Sequence, residues 1–274
     1  MSQRQVRRLS KYKRRTAIVS LIRGLLRDMH NRLGVSSDMV PMIDYDARTT
    51  ECRLLFPSFE RELAKKLGVD IAVIKTEKGY HLIPLMVLYP KGRMVAELSA
   101  LKAYIENLIR KGITPRILPG EVDAYIDALT SIENPQLMFD DFYRWLQKEF
   151  DVYITYRCID MAHIDATLRR RYTTLRISGK ECKPYDIEFL HFMTPEGIPI
   201  SIEIFIYLNV YKPNYRCIDI KHVIRLVHNI VRVKYPWVRR EAHERLMRYL
   251  VPVSYTHLRA HETSLHLVCR LLLE

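Results

Sequence analysis

An apolar run that ends in two alternating aspartates, residues 40–46, constrains the fold of this chain more than any other feature. The run reads Val-Pro-Met-Ile-Asp-Tyr-Asp. Because successive side chains of a strand point to opposite faces, a strand here places Asp44 and Asp46 on one face of a sheet. Two carboxylates at that spacing can bind one or two divalent cations between them. The run therefore predicts a strand that carries a metal-dependent site.

A second segment, residues 76–81, reads Thr-Glu-Lys-Gly-Tyr-His. Gly79 permits a close backbone approach, and Thr76, Lys78 and His81 offer hydrogen-bond donors suited to a triphosphate. A turn that joins two strands, followed by a core histidine, explains the same residues without any ligand. The functional interpretation of this segment is favoured because the segment follows the aspartate run and lies between two predicted strands.

The charge of the chain favours a polyanionic partner. It has 44 Lys and Arg against 31 Asp and Glu, a formal net charge of +13, and such an excess suits nucleic acid better than a neutral small molecule. The excess is concentrated near the start, where candidate phosphate contacts are Arg7, Arg8, Lys11, Lys13, Arg14 and Arg15. Contact with a phosphate backbone is one interpretation, and a solvated polar helix face is the other.

The apolar residues and the cysteines exclude several classes of protein. No window of about twenty residues is uninterruptedly apolar, so we expect no membrane span. The five cysteines never form a Cys-x-x-Cys pair, which argues against a zinc ribbon and against a disulfide framework. We therefore expect reduced thiols and a cytoplasmic location.

Apolar periodicity predicts an α+β fold. Predicted helices cover residues 17–29, 59–67, 94–112, 122–132, 139–150, 220–233 and 238–250. Predicted strands cover residues 40–46, 69–75, 81–88, 152–158, 172–178 and 200–208. These elements suggest a basic helical arm (1–34), a metal-bearing α/β lobe with a helical insertion (35–150) and a sheet-rich lobe with two closing helices (151–252). Aromatic residues in these elements are expected to fill cores rather than stack on bases; they include Tyr143, Trp145, Tyr207, Tyr211 and Trp237.

The last 22 residues, 253–274, resemble translated adapter DNA more than natural protein sequence. Residues 253–263 and 267–274 resemble two blocks of one reading frame of a transposase-type sequencing-library adapter. A natural amphipathic C-terminal helix is the alternative. We expect an artefactual tail, which is excluded from any functional site, and a natural gene that continues beyond Pro252.

The first two motifs together resemble those of the archaeo-eukaryotic primase superfamily, which includes the small catalytic subunit of primase and the primase-polymerases. That family carries a hydrophobic-Asp-x-Asp strand, a turn similar to Ser-Gly-Arg-Gly-Tyr/Phe-His, and a third acidic residue before an Arg-rich strand. Here Thr76 stands for the serine, Lys78 for the arginine, and Glu77 departs from the glycine. The resemblance covers about residues 38 to 185.

The third motif has two candidate carboxylates. Asp160 ends a predicted strand, whereas Asp165 has a spacing to Arg176 closer to that of the family. Asp165 could equally be an exposed residue of a helix. The segment around Arg176 and Lys180 resembles the basic strand that contacts the phosphates of the incoming nucleotide.

The resemblance implies a two-lobed nucleotidyltransferase core with mixed or antiparallel sheets flanked by helices. It implies template-directed nucleotidyl transfer on single-stranded DNA, with nucleoside triphosphates as substrates and a primase large subunit or a helicase as a possible partner. Asp44, Asp46 and the third aspartate would hold Mg²⁺ or Mn²⁺. Thr76, Lys78, Gly79, His81, Arg176 and Lys180 would bind the nucleotide. Arg169, Arg170 and Arg171 would grip the template, or they form the polar face of a helix.

Two rival functions use the same residues differently. A metal-dependent nuclease would use the aspartates to activate water instead of a sugar hydroxyl. A non-catalytic replication initiator or nucleic-acid-binding protein would rely on the basic arm and keep the aspartates for structure.

Overall fold

The computed structural model describes residues 18–20, 22–25, 39–173, 177, 179–180, 183–184, 186–211, 216 and 220–255. Residues 18–20 and 22–25 are helical. The helices that follow are α1 (Thr50–Leu67), α2 (Lys91–Arg110), α3 (Pro119–Thr130), α4 (Phe139–Glu149), α5 (Asp151–Thr155), α6 (Met161–Arg170), α7 (Ile202–Tyr211), α8 (Ile220–Lys234) and α9 (Arg240–Tyr255).

A five-stranded antiparallel sheet forms the centre of the first part of the fold. The strands are β1 (Ile43–Asp46), β2 (Ile71–Thr76), β3 (Gly79–Pro84), β4 (Gly179–Lys180), β5 (Lys183–Pro184), β6 (Ile187–Met193) and β7 (Pro199–Ile200). The order across the sheet is β1-β3-β2-β6-β7, and β4 pairs with β5 in a separate two-stranded sheet. The expected α+β class is therefore confirmed.

Helix α1 covers the face of β1 that carries Tyr45. The Tyr45 ring lies 5.1 Å from that of Phe56 and 4.9 Å from that of Phe59, and its hydroxyl donates to the Cys52 carbonyl at 2.8 Å. The helix begins after Thr49, whose hydroxyl accepts from the Cys52 amide, as N-cap residues do. Because β1 alternates, burial of Tyr45 beneath α1 directs Asp44 and Asp46 to the opposite face.

The chain divides into two compact units that interleave along the sequence. Unit 1 comprises residues 1–88 and 142–217, and unit 2 comprises residues 89–141 and 218–274. This division differs from the contiguous lobes that the sequence suggested. In unit 2 the helices α2, α3, α8 and α9 share one apolar core that includes Leu98, Tyr125, Val227 and Leu246.

Several predictions of local structure are wrong. Residues 152–158, predicted as a strand, contain α5, and residues 200–208, predicted as a strand, lie mostly in α7. The second half is therefore not mostly sheet, and strand β6 was not predicted. The alternation misleads because Tyr153, not Val152, is the buried residue of α5. Helix α1 begins nine residues before the predicted helix, although Pro57 lies inside it.

The expectation of reduced thiols is wrong for one pair of cysteines. Cys52 of α1 and Cys158 form a disulfide across a sequence separation of 106 residues. The bond ties α1 to the segment that leads into Asp160. None of the described helices combines the length and the hydropathy that crossing a membrane requires.

Candidate carboxylate site

Antiparallel pairing of β1 with β3 brings together the two motifs found in the sequence. The register sets Asp44 opposite His81 and Asp46 opposite Gly79. Directly opposed residues of two strands project from the same face of a sheet. The His81 Nε2 atom lies 3.7 Å from the Asp44 Oδ1 atom.

A third chain segment lies along the other side of β1. Tyr45 forms an isolated antiparallel bridge with Ile159. The Asp160 amide donates to the Asp44 carbonyl at 3.0 Å, and the Asp46 amide donates to the Cys158 carbonyl at 2.7 Å. Asp160 therefore lies beside Asp44, so that Asp160, Asp44 and His81 come from three adjacent backbone segments.

The electrostatic state of Asp44 reflects this crowding. Its pKa is raised from 3.8 to about 6, first because the carboxyl is buried and then because Asp160 and Asp46 are negative; Arg48 opposes the shift. The raised pKa of Asp44 therefore reflects first its poor solvation and second the negative charge of its two neighbours. Perturbed pKa values are typical of functional sites, although they also occur in structural clusters.

Each of the other two carboxylates has a partner within the protein. Arg48 binds Asp46 through its Nε atom at 2.9 Å and through its backbone amide at 3.2 Å. The Asp160 Oδ1 atom accepts from the amides of Ala162 and His163 and caps α6. Within the described ranges no group of three or more His, Cys, Asp or Glu side chains is arranged to hold a metal ion.

The chemistry of these residues nevertheless fits a divalent cation. Carboxylate oxygens are the ligands that Mg²⁺ and Mn²⁺ prefer. A cation would offset both the burial of Asp44 and the repulsion from Asp160 and Asp46, which together raise its pKa. The Arg48 side chain, 64% exposed, already supplies one positive charge to Asp46. Cation binding therefore requires this exposed side chain to leave Asp46 and the carboxylates to rotate towards one another.

Two buried histidines lie beside the carboxylates. Burial lowers the pKa of His81 to about 4, with a further reduction from His163 and an opposing hydrogen bond to the Ile177 backbone. Burial also lowers the pKa of His163 to about 4, although Asp160 opposes the shift. Both imidazoles are therefore neutral at pH 7, and the His163 Nε2 atom lies 3.3 Å from the Thr167 hydroxyl.

The Gly79 motif forms the tight turn of the β2–β3 hairpin. Thr76 and Gly79 flank a two-residue turn of exposed Glu77 and Lys78, and the Thr76 hydroxyl accepts from the Gly79 amide at 3.1 Å. A Cβ atom at position 79 would collide with the carbonyl oxygen of Tyr45. Glycine is therefore required because β1 and β3 approach closely here.

The remaining predicted residues do not join this cluster within the described part of the chain. Asp165 is exposed on α6, and Arg169 and Arg170 are exposed at the end of that helix. Arg171 ends α6 in the left-handed region with φ 59°. Arg176 and the arm residues Arg7 to Arg15 lie outside the described residues, and so does the side chain of Lys180.

Sequence reasoning missed Arg48 and His163 as members of the site. Arg48 lies two residues after Asp46, and His163 lies three residues after Asp160. The one available signal was the N-cap pattern, in which an aspartate before a helix turns towards the amides two and three residues on.

Comparison of the chain with protein-family models, with curated proteins and with solved structures gave no match. The resemblance to the primase superfamily therefore depends on the short motifs alone.

Proposed function

We propose that this chain is a metal-dependent nucleotidyltransferase of primase type that synthesises nucleic acid on a single-stranded template. The observation that supports this proposal best is the convergence of Asp44, Asp46 and Asp160 on neighbouring backbone segments. The pKa of Asp44 is raised there, first by burial and then by its two carboxylate neighbours. Ionising a buried carboxyl beside two others destabilises the folded chain. A cation-binding role therefore explains this cluster better than a stabilising role does.

In this proposal the three aspartates hold Mg²⁺ or Mn²⁺. The bound cations would lower the pKa of an attacking 3′-hydroxyl and offset the charge of the leaving pyrophosphate. Lys78 is exposed at the tip of the hairpin, from which its ammonium group can reach the triphosphate. His81 is buried and neutral and lies 3.7 Å from Asp44, so it borders the carboxylates without adding a positive charge. Arg48, once released from Asp46, is available to a phosphate.

A non-catalytic role has its own supporting observation. Asp160 already caps α6 and Asp46 already pairs with Arg48, so both carboxylates have structural functions without a metal. A binding protein would keep these contacts unchanged while it holds nucleic acid. A nuclease would need the same cation and differs in the nucleophile.

The test is a synthesis assay with the full chain, labelled nucleotides, Mn²⁺ and a single-stranded template, with and without a primer. We expect product from the wild type and a loss of at least about 100-fold in Asp44→Asn and in Asp46→Asn. The matched control is Asp165→Asn, which removes an exposed carboxylate from α6 and should retain activity.

Other outcomes would separate the alternatives. Undiminished synthesis by Asp44→Asn would rule out the proposed site. Binding of the template without product in all four proteins would support the non-catalytic role. Shortening of a labelled primer in the absence of nucleotides, lost in Asp44→Asn, would indicate a nuclease.

A further inference from the structure

The corner between α8 and α9 in unit 2 combines positive charge with an exposed aromatic ring. Residues 232–240 read Arg-Val-Lys-Tyr-Pro-Trp-Val-Arg-Arg, with four basic residues and no acidic one. Trp237 was expected to fill a core, yet it is 57% exposed. More than half of the Trp237 surface is therefore accessible to a ligand that can stack on the indole.

Local contacts hold this tryptophan in a defined position. The Trp237 ring leans against Gly120 at the start of α3, 3.5 Å from where a Cβ atom would be. It also meets Tyr235 edge to face, with ring centroids 6.1 Å apart, and the Tyr235 hydroxyl donates to Asp127 at 2.9 Å. The Arg239 amide donates to Glu121 at 3.3 Å. These contacts hold the corner against α3, while more than half of the Trp237 surface stays exposed to solvent.

The basic residues around the corner are also exposed. Arg232 and Lys234 lie in the last turn of α8, Arg239 directly precedes α9, and Arg240 begins it. All four side chains are exposed. Arg240 pairs with Glu244 at 3.3 Å, but its side chain is 93% exposed, so the pair is weak and exchanges readily for a phosphate. The opposite side of α8 is buried in the core of unit 2, which fixes the basic side outward.

From this arrangement we infer that the α8–α9 corner binds single-stranded nucleic acid. Trp237 stacks on a base, while Arg232, Lys234, Arg239 and Arg240 contact the flanking phosphates. Proteins bind single strands with exposed aromatic rings that lie among basic side chains, because the bases of a single strand are free to stack. The inference deepens the proposed function by adding a template-binding surface outside the carboxylate site, and it depends on that function for its biological meaning.

The chain has two tryptophans, which makes the test direct. Trp145 packs against Phe142 and Phe150, so Trp145→Phe keeps an aromatic ring there and leaves Trp237 as the sole indole. We expect oligothymidylate to quench the emission of this protein in EDTA without nucleotides. Heparin, a polyanion without bases, should not quench it, and duplex DNA should quench it much less.

Variants then measure each contribution by the anisotropy of a labelled oligothymidylate. Trp237→Ala should weaken binding about 10-fold, whereas Trp237→Phe should retain most of the affinity. Arg239→Ala/Arg240→Ala should reduce the slope of log affinity against log salt by about 1.4. The matched control, Arg110→Ala/Lys111→Ala, removes two exposed charges elsewhere in unit 2 and should change neither quantity.

Several results would overturn the inference. They are unchanged Trp237 emission at saturating oligothymidylate, equal quenching by heparin or duplex DNA, and wild-type affinity of Trp237→Ala. The assay contains no metal or nucleotide, so its outcome is independent of synthesis. If the wild type synthesises product and Trp237→Ala binds oligothymidylate with wild-type affinity, only the proposed binding surface is refuted. Quenching without synthesis would refute the proposed function alone.

Discussion

The carboxyl of Asp44 lies where its ionisation opposes folding. Its pKa is about 6 in the folded chain against an ordinary value of 3.8. Below pH 3.8 the group is protonated in both the folded and unfolded states, so it costs nothing. As the pH rises through 6 it ionises in the folded chain, and the stability present at low pH is lost.

We therefore predict that Asp44→Asn stabilises the metal-free protein at pH 7. The expected gain in free energy of unfolding is on the order of 2 kcal/mol, and it should shrink towards zero as the pH falls to 4. Chemical denaturation in EDTA at several pH values measures it. Asp165→Asn, in an exposed position, should show no comparable gain. A constant difference at every pH would show that Asp44 is not the titrating group.

Arg48 acts in this structure as the counter-ion of Asp46. Because the Arg48 side chain is largely exposed, Arg48→Ala should change the free energy of unfolding by less than about 1 kcal/mol. The same change should tighten Mn²⁺ binding several-fold, since the cation no longer displaces a guanidinium.

The control for Arg48→Ala is Arg53→Ala. Arg53 lies in the same region but donates to the carbonyls of Ala47 and Arg48 rather than to a carboxylate. Isothermal titration with Mn²⁺ compares the two variants. Equal effects would mean that general positive charge, and not the contact with Asp46, opposes the metal.

At the scale of elements, the position of the site depends on how closely β1 and β3 approach. Gly79→Ala places a methyl group against the Tyr45 carbonyl and cannot be accommodated without separating the strands. We predict a loss of about 2 to 4 kcal/mol in thermal or denaturant unfolding. Gly120→Ala, where a Cβ atom would make only ordinary contacts, should be neutral. A neutral Gly79→Ala would contradict the described pairing.

The same scale shows which parts of the fold could be predicted from sequence. The strands that carry Asp44 and His81 were predicted because their apolar runs end in turn residues, so local signals suffice. Helix α7 was not, because its alternating isoleucines favour a strand, while its geometry depends on Phe205 stacking on Phe192 at 3.8 Å. Likewise, Asp160 and not Asp165 lies beside Asp44 because Tyr45 pairs with Ile159. This pairing is non-local, so sequence spacing does not reveal it.

For the whole molecule, the interleaving of the two units is the feature furthest from the sequence. Unit 2 combines residues 89–141 with residues from 218 onwards, and nothing local links α3 to α8 and α9. The apolar faces of these helices were predicted individually. Their common core, however, results from contacts between segments about a hundred residues apart.

Separate cores predict that the two units lose structure separately. Leu246→Ala removes a fully buried side chain of α9 and should cost about 2 to 5 kcal/mol. Amide exchange should then accelerate in α3 and α8, which share its core, while the amides of β1 and β3 keep their protection. The reciprocal variant is Leu63→Ala in α1, also fully buried. It should release β1 and β3 and spare α3.

Native-state hydrogen exchange with peptide resolution distinguishes this behaviour from a single cooperative transition. If either variant lowered protection evenly from β1 to α9, the units would unfold together. The carboxylate site would then share the stability of the α8–α9 corner. With independent units, Leu246→Ala should impair oligothymidylate binding at that corner and leave Mn²⁺ binding by the aspartates intact, because the two properties belong to cores that unfold separately.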